Sequence, residues 1–191
     1  MRRDAVRNRE RLVEAARGAF AERGLDVPLE EIARRAGVSI GTLYNRFPTR
    51  NDLAAAVFAD REETVRQVAR HALTMPDPWD GFVHFAEQLG RLMAEDRGWT
   101  DVAARRGPEI GRALMIEVIG RAQAAGALRP DFTLTDMAFV IWSLTRTITA
   151  TRDAAPDAWR RHLGFVLDGL RAPAAHPLPV GPLPESLIAG C

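Results

Sequence analysis

The segment SIGTLYNR, residues 39–46, places hydroxyl, phenol, amide and guanidinium groups within eight positions. Between Ser39 and Pro48 there is room for only about two turns of helix, too few for a helix to be stable alone in water. The segment carries Gly41, Tyr44 and Arg46 where a core helix would carry leucines. We interpret it as a short helix that neighbouring elements stabilise and whose polar groups face a partner.

The chain offers little for catalysis or metal binding. Its histidines, at positions 71, 84, 162 and 176, do not combine with cysteine or carboxylates at metal-ligand spacing, and its single cysteine is Cys191. The sequence contains no P-loop, GxSxG or paired-cysteine motif. We therefore expect no enzyme, no cofactor and no metal. A lone cysteine fits a reducing cytoplasm, and no apolar run is long enough to span a membrane.

Charge is distributed unevenly, although the net charge is only +1. Residues 1–50 hold 11 arginines and 7 acidic residues, a balance of +4, whereas residues 51–191 hold 15 and 18, a balance of −3. A basic first quarter is typical of a chain whose one end meets a polyanion. All 26 basic residues are arginines, which can offer each phosphate a planar, bidentate donor.

Apolar periodicity predicts helices throughout the chain, so the expected fold class is all-α with about nine helices. Ser39 is a predicted N-cap, Thr49 and Asp52 a predicted capping box, and Asp77 followed by Pro78 a predicted helix start. Five prolines between positions 173 and 184 predict an extended or disordered tail. The predicted helices cover residues 6–23, 28–36, 39–47, 50–71, 78–95, 100–106, 108–125, 135–151 and 156–171.

The segment AGVS, which contains Gly37, joins two short helices in the pattern of a helix-turn-helix. The second helix fits the DNA major groove, about 12 Å wide; an ordinary corner of a helical bundle is the alternative. The residues RERLVEAARGAFAERG and LEEIARRAGVSIGTLYNRFPTRNDL closely resemble the DNA-binding domain of TetR-family transcriptional regulators. The motif GTLY, followed by Phe47, is the specific part of this likeness. The remaining helices resemble the larger helical domain of that family.

The resemblance implies a role for each residue of the short helix. Gly41 lets the backbone come close to DNA, while Tyr44, Arg50 and the two hydroxyl residues bind phosphate oxygens. Asn45 and Arg46 read base edges, since Asn pairs with adenine and Arg with guanine. Leu43 and Phe47 face inward. The expected DNA-binding residues are Ser39, Ile40, Gly41, Thr42, Tyr44, Asn45, Arg46 and Arg50.

Two positions depart from the family pattern. Many relatives have a hydroxyl residue that caps the second helix and touches phosphate, whereas this chain has Val27 and Pro28 there. That contact is either missing or replaced by Asp26, which would cap the helix from further out. Ile40 stands where many relatives are polar, so that it meets a thymine methyl group or rests on the sugar edge.

The resemblance implies that the rest of the chain is a domain that binds a ligand and dimerises. The alternative is that its apolar residues simply form the hydrophobic core of a helical bundle. Arg146 either anchors an anionic ligand or forms an ion pair while its aliphatic stem packs along apolar surface. The predicted pocket residues are Phe85, Gln88, Leu89, Met93, Trp99, Met115, Ile119, Trp142 and Arg146. Apolar stripes on the last two main helices are expected to meet a twofold mate. They comprise Met137, Ile141, Leu144, Ile148, Trp159, Leu163, Val166 and Leu170.

The expected protein is a cytoplasmic homodimer that binds a palindromic site on double-stranded DNA. It is expected to repress transcription and to leave its operator when a small-molecule effector binds. Residues 1–53 would form the helix-turn-helix domain, residues 54–171 the ligand-binding and dimerisation domain, and residues 172–191 the tail. A regulator that activates, or that a protein partner controls without a small ligand, is the alternative.

Overall fold

The computed structural model describes residues 2–106 and 109–184, and within these residues the chain is all-α, as predicted. A short 3₁₀ helix, Ala172–Ala174, follows the last α-helix. The described α-helices are α1 (Arg2–Arg23), α2 (Leu29–Ala36), α3 (Ile40–Arg46), α4 (Arg50–Thr74), α5 (Pro78–Glu95), α6 (Arg97–Arg106), α7 (Arg112–Ala124), α8 (Leu134–Thr151) and α9 (Ala158–Leu170).

Three helix starts differ from their predicted positions by three residues or more. α1 begins at Arg2 rather than at residue 6, so the basic N-terminal residues continue the helix. α6 begins at Arg97 rather than at residue 100, and the carboxylate of Asp96 accepts a hydrogen bond from the backbone N–H of Trp99 at 3.1 Å. α7 begins at Arg112; its predicted start, Pro108, lies outside the described residues.

The predicted helix caps are present. The hydroxyl of Thr49 accepts from the N–H of Asp52 at 3.1 Å, and the Asp52 carboxylate accepts from the N–H of Thr49 at 3.0 Å. The Asp77 carboxylate accepts from the N–H groups of Trp79 and Asp80 at the start of α5. Because these side chains satisfy amides that the helix itself leaves free, they fix where α4 and α5 begin.

The packing separates an N-terminal group of helices from a larger bundle. α1 packs against α2, α4 and α6, and α3 packs mainly on α2. α5 contacts α4, α6, α7, α8 and α9, which agrees with its apolar side chains on more than one face. α6 therefore contacts both α1 and the bundle, and it joins the two parts of the fold.

The chain after α9 is anchored at its base and exposed beyond it. Arg129 is buried and donates to both carboxylate oxygens of Asp131 and to the carbonyl of His176 at 3.1 Å. The segment 175–184 has no regular secondary structure and is mostly exposed. Residues 185–191, including Cys191, lie outside the described residues. The first residues of the predicted tail, Ala172–Ala174, thus form the 3₁₀ helix, and an extended or disordered conformation of residues 172–191 as a whole stays a prediction.

Candidate nucleic-acid interface and the cavity behind it

The short helix α3 is held in place by two buried side chains and a cap. Leu43 and Phe47 are 0% and 3% exposed, so they dock the helix on its neighbours as predicted. The hydroxyl of Ser39 accepts from the N–H of Thr42 at 3.2 Å and lies 2.9 Å from the Thr42 hydroxyl. Burial of two side chains and one cap supply the stability that so short a helix lacks alone.

The opposite side of α3 is open to solvent. Tyr44 is 47% exposed, and Asn45 and Arg46 are also exposed. These three side chains carry a hydroxyl, an amide and a guanidinium group, the donors and acceptors that nucleic-acid contacts use. Of the other predicted DNA-binding residues, Ser39 and Gly41 are exposed, whereas Ile40, Thr42 and Arg50 are half-buried.

Gly41 lacks an internal reason to be glycine. A Cβ atom built on it would meet only the Ser39 hydroxyl, at an ordinary 3.9 Å, and Gly41 is not among the residues with positive φ. The protein itself could therefore accept a side chain here. The missing side chain instead leaves the backbone of α3 open to approach from outside.

Arg50 has partners within the protein. Its Nη1 group donates to the backbone carbonyls of Leu25 and Val27 in the loop between α1 and α2. The side chain thereby ties the first turn of α4 to that loop. The contact of Arg50 with DNA phosphate stays a prediction. The structure adds an internal role, which depends on a tertiary contact between Arg50 and Leu25, 25 positions apart.

Arg9 was not among the residues that the sequence predicted for this interface. The guanidinium carbon of Arg9 lies 5.6 Å from the ring centroid of Phe47, the residue that follows α3, and the side chain of Arg9 is exposed. Two positions on, Arg11 donates to the carbonyl of Gly37 in the turn of the helix-turn-helix at 3.4 Å. The basic run at the start of α1 is the only signal that pointed here. It does not show which arginines reach α3.

Ion pairs distinguish structural arginines from available ones. Glu31 binds both Arg23 and Arg35, and its hydrogen bond with Arg35 holds the pKa of the Glu31 carboxyl below its ordinary value. The pair with Arg23 joins α1 to α2, whereas the pair with Arg35 lies within α2. By contrast, Arg34 and Arg46 are exposed and have no acidic partner among the described residues, so their positive charge is available to a polyanion.

The loop between α1 and α2 is bound to α6. The backbone N–H of Leu25 donates to Asp101 at 2.9 Å, and Arg105 donates to Asp26 at 2.8 Å. This hydrogen bond with Arg105 lowers the pKa of the Asp26 carboxyl. Gly24, with φ 76°, leaves room for the Asp101 carboxylate, since a Cβ on residue 24 would lie 2.3 Å from one of the Asp101 oxygens. Asp26 therefore pairs with α6, and α2 starts after Pro28 without a capping side chain.

A small apolar cavity lies on the other side of α6. Its volume is about 20 Å³, room for a single water molecule. Trp99 and Ala103 of α6 line it, two residues away from Asp101 and Arg105 respectively. Because two residues turn an α-helix by about 200°, α6 presents one side to the cavity and the other to the α1–α2 loop. The lining residues are Val65, Leu89, Met93, Trp99, Ala103, Ile110 and Ile141.

The predicted pocket residues are divided among several places. Leu89, Met93 and Trp99 line the cavity, and Phe85, Met115 and Ile119 are buried in the core without lining it. Gln88 and Trp142 are half-buried, and the indole N–H of Trp142 donates to the carbonyl of Ala104 at 2.9 Å. Arg146 is exposed and has no ion pair among the described residues.

The predicted dimer stripe lies inside the protomer rather than on its surface. Six of its side chains are at most 3% exposed, and Val166 and Leu170 are half-buried. Trp159, for example, lies against Gly90 of α5, where a Cβ would come within 2.4 Å of its ring. The buried six are Met137, Ile141, Leu144, Ile148, Trp159 and Leu163. These stripes join α8 and α9 to their own bundle, so side chains buried this deeply offer no surface to a second chain.

Other residues form the outer face of α8 and α9. The His162 ring lies 2.9 Å from the Ser143 hydroxyl at the seam between the two helices. One turn away on α8 and on α9, Phe139 and Phe165 are 42% and 62% exposed. Such exposed aromatic side chains are typical of surfaces that bind another protein.

Within the described residues, no helix is both long and apolar enough to cross a membrane. The same residues contain no group of three or more His, Cys, Asp or Glu side chains that could hold a metal ion.

Comparison with known proteins places the strongest similarity at the helix-turn-helix. The family model described as "Bacterial regulatory proteins, tetR family" matches residues 12–57. HTH-type transcriptional regulators of Staphylococcus aureus are 41% identical over 54 residues. That match covers 28% of this chain and 29% of the relatives' length.

Solved structures extend the similarity to the helical body. A TetR transcriptional regulator from Streptomyces coelicolor is 29% identical with a TM-score of 0.54, over 85% of this chain and 98% of the other. The regulator RolR, solved in complex with resorcinol, is 25% identical with a TM-score of 0.67, over 94% and 99% of the two chains.

Proposed function

The chain belongs to the TetR family of bacterial regulatory proteins, and we propose that it is a dimeric repressor that leaves a palindromic operator when a small molecule binds its helical body. The observation that carries this proposal is the division of α3. Leu43 and Phe47 are buried in the fold, whereas Tyr44, Asn45 and Arg46 are exposed together. A helix held in this way has its polar side free for the major groove.

The exposed residues divide by chemistry. The Tyr44 hydroxyl and the free backbone at Gly41 suit phosphate contacts, which fix the position of the helix on any sequence. Asn45 and Arg46 suit adenine and guanine edges, which carry sequence information. Ile40, half-buried at the start of α3, suits a thymine methyl group or the sugar edge. Arg50 reaches phosphate only with the part of its guanidinium group that the loop carbonyls leave free.

The outer face of α8 and α9 is the proposed dimer surface. It contains Phe139 and Phe165, and a second copy would remove both rings from water. A twofold dimer uses the same surface on each chain and places two copies of α3 on half-sites about one helical turn of DNA apart. Palindromic recognition would follow from this symmetry.

α6 supports a physical route from ligand to DNA. On one side of α6, Trp99 and Ala103 line the cavity. On the other side, Asp101 and Arg105 form hydrogen bonds with the α1–α2 loop. A ligand that shifts α6 would therefore shift the helix-turn-helix. Such a ligand favours the form whose two α3 helices no longer fit both half-sites together, so it weakens operator binding. The likeness to RolR, solved with resorcinol, supports a small-molecule effector.

Control by a protein partner, with no small ligand, is the second candidate. The observation that favours it is the cavity volume of about 20 Å³, which accommodates no ligand larger than water. A protein partner would instead act on the surface of the bundle. The two candidates share the DNA-binding mode and differ in whether any small molecule stabilises the protein.

Selection of bound duplexes from a random DNA pool tests the DNA-binding proposal. We expect the recovered sequences to share an inverted repeat whose two half-sites lie about one helical turn of DNA apart. Recovery of sequences with a single half-site would contradict dimeric recognition. If no duplex were enriched over the starting pool, specific DNA binding itself would be refuted.

A further inference from the structure

We infer that the proline-rich segment 177–184 forms, with the start of α8, a groove that receives Phe165 and Arg161 from α9 of a second copy of this chain. The inference rests on the proposed function and names a contact that gives the proposed dimer its specificity. Its starting observation is a groove of about 600 Å³, a volume in the range of sites that hold a bound group. One wall is formed by residues 178–183, and the other by Asp131, Asp136 and Phe139.

The wall that the segment supplies is fixed at its base. The backbone N–H of Ala172 donates to the carbonyl of Ala127 at 2.9 Å, and the guanidinium group of Arg129 donates to the carbonyl of His176 at 3.1 Å. These contacts set the direction of the chain as it leaves α9. Beyond them lie four prolines between positions 177 and 184, and each fixes its own φ angle. The segment therefore loses less conformational freedom on binding than a tail without prolines would.

The groove exposes apolar side chains to water. Leu178, Val180 and Leu183 on the segment are exposed, and so is Phe139 on the α8 wall. Residues 172–184 contain no Asp, Glu, Lys or Arg, whereas segments that stay free in solution are usually charged and poor in apolar residues. Exposed apolar side chains that collect at one site are typical of a surface that another protein covers.

The groove also has a net negative charge. Both carboxylate oxygens of Asp131 accept from Arg129. Asp136 accepts from the N–H and the hydroxyl of Thr133 through one oxygen, and it forms no ion pair among the described residues. One guanidinium group thus lies beside two carboxylates. A cation supplied from outside would balance the second carboxylate.

The α9 helix carries a protrusion that matches this groove. Phe165 is 62% exposed, and the guanidinium carbon of Arg161, one turn before it, lies 4.9 Å from the ring centroid. Arg161 has no ion pair in the described part of the chain. The protrusion is therefore apolar at the ring and positive beside it, whereas the groove is apolar along the segment and negative at Asp136. Such complementarity of charge selects the right partner and fixes its orientation.

Twofold symmetry would bring the protrusion to the groove. The short connection between α8 and α9 makes these helices antiparallel, and Ser143 of α8 meets His162 of α9. Phe139 and Phe165 each lie about one turn from that contact, in the same direction in space, so they share one level of the outer face. An axis between them places Phe165 of each copy on Phe139 of the other, at the mouth of the groove. The contact therefore occurs twice in the dimer.

Cross-linking between two single-cysteine chains tests the contact directly. In a Cys191→Ser background, one chain carries Leu178→Cys, and a second chain, enlarged by an affinity tag, carries Phe165→Cys. The mixed dimer keeps one unmodified contact, because the first chain retains Phe165 and the second retains Leu178. We expect a short bifunctional thiol reagent to give a covalent dimer of mixed size.

The control for cross-linking is a tagged chain with Ile116→Cys instead of Phe165→Cys. Ile116 is an exposed apolar residue of α7 and lies outside the proposed contact, so it should give no mixed dimer. The proposal would be overturned if no mixed dimer formed with Phe165→Cys. It would equally be overturned if Ile116→Cys gave the same yield.

The dissociation constant of the dimer, measured by sedimentation, tests the segment itself. The double variant Leu178→Ser with Leu183→Ser should raise this constant at least about tenfold, because both leucines lose burial against the second copy. Its Tm below the dimer concentration range should not change, since both side chains are exposed in the protomer. Ile116→Ser, whose side chain is 46% exposed against 50% for Leu178, is the matched control and should leave the dimer unchanged. An unchanged constant in the double variant would overturn the role of the segment.

A charge reversal tests the ionic part of the contact. Arg161→Glu should raise the dissociation constant at least about tenfold, because it places a third carboxylate at a negative groove. Arg160→Glu makes the same change in net charge on the same helix, where Arg160 pairs with Asp157 at the exposed start of α9. That variant should raise the constant by less than about threefold. Equal effects of the two reversals would overturn the pairing of Arg161 with the groove.

The outcomes separate this contact from the proposed function. A chain that stays monomeric at every concentration and on its selected DNA would refute the proposed dimer. A dimer that forms no mixed cross-link, and that keeps its dissociation constant in the double leucine variant, would refute the groove contact alone. Dimeric DNA binding would then be intact, and the groove would belong to a different occupant.

Discussion

Replacement of Gly41 by alanine separates the needs of the fold from those of the DNA interface. Inside the protein a methyl group at this position meets only the Ser39 hydroxyl, at 3.9 Å, and the backbone there needs no positive φ. On the outside, the methyl group would stand between the backbone of α3 and the approaching DNA. We therefore expect Gly41→Ala to change stability and DNA affinity in opposite directions.

The expected magnitudes follow from helix propensity and from the geometry of approach. Alanine is more favourable than glycine by about 0.8–1.0 kcal/mol inside a helix. Gly41 is the second residue of α3, so we expect a gain in the free energy of unfolding of up to about 1 kcal/mol and a rise in Tm of about 2–4 °C. DNA affinity should fall at least tenfold, about 1.4 kcal/mol. The loss should be similar on all sequences, since backbone approach carries no sequence information.

Gly120→Ala is the matched control. Gly120 is an exposed glycine in α7, and a Cβ built on it would have no atom within 4 Å. Both variants are measured by thermal unfolding and by fluorescence anisotropy with a labelled, selected duplex. Gly120→Ala should gain stability without a change in DNA affinity. If Gly41→Ala kept full DNA affinity while its Tm rose, our account of the approach at Gly41 would be refuted.

Four further predictions concern single contacts. Tyr44→Phe should weaken binding to all sequences alike, whereas Asn45→Ala should relax the preference at one base position, by about 1–3 kcal/mol in competition assays; the reverse pattern would contradict their roles. Arg9→Ala should lower the slope of log K against log salt by about 1, and an unchanged slope would place Arg9 away from phosphate. Asp101→Ala should reduce the free energy of unfolding in urea by about 1–3 kcal/mol, because the amide of the buried Leu25 loses its acceptor, while Asp101→Asn should lose less; equal losses would contradict this. Phe165→Ser should yield folded monomers in sedimentation, and an intact dimer would exclude this surface.

Local chemistry made much of the DNA-binding region predictable from the sequence. The cap residues Ser39 and Thr49 act on amides within three positions, so their roles follow from spacing alone. Leu43 and Phe47 lie four positions apart, and this spacing places both on the same side of a helix. For that reason, the spacing of these residues was enough to predict which side of α3 is buried and which is exposed.

Tertiary contacts were not predictable in the same way. The sequence shows that Arg50 is a cation near the start of α4, but not that its guanidinium group reaches the carbonyls of Leu25 and Val27. It likewise gives no distance between Arg9 and the ring of Phe47. Long arginine side chains can reach many neighbours, and only the arrangement of the helices selects among them.

The apolar stripes of α8 and α9 illustrate a second limit. The helical periodicity of apolar residues shows that Leu144 and Leu163 must be buried. It does not show whether the surface that they pack against belongs to the same chain or to a second one. The structure places them against their own bundle. The dimer surface that we propose rests instead on exposed aromatic residues such as Phe165, which interrupt the polar pattern of the outer face.

The salt dependence of binding to a selected palindromic duplex, measured together with the stoichiometry, tests the central claim most directly. We expect an even number of chains on each duplex. Affinity should fall at least a hundredfold as salt rises from about 50 to about 200 mM, because several phosphate contacts release counterions on binding. A single chain per duplex, or an affinity that does not change with salt, would contradict the account of a dimer that binds DNA through α3.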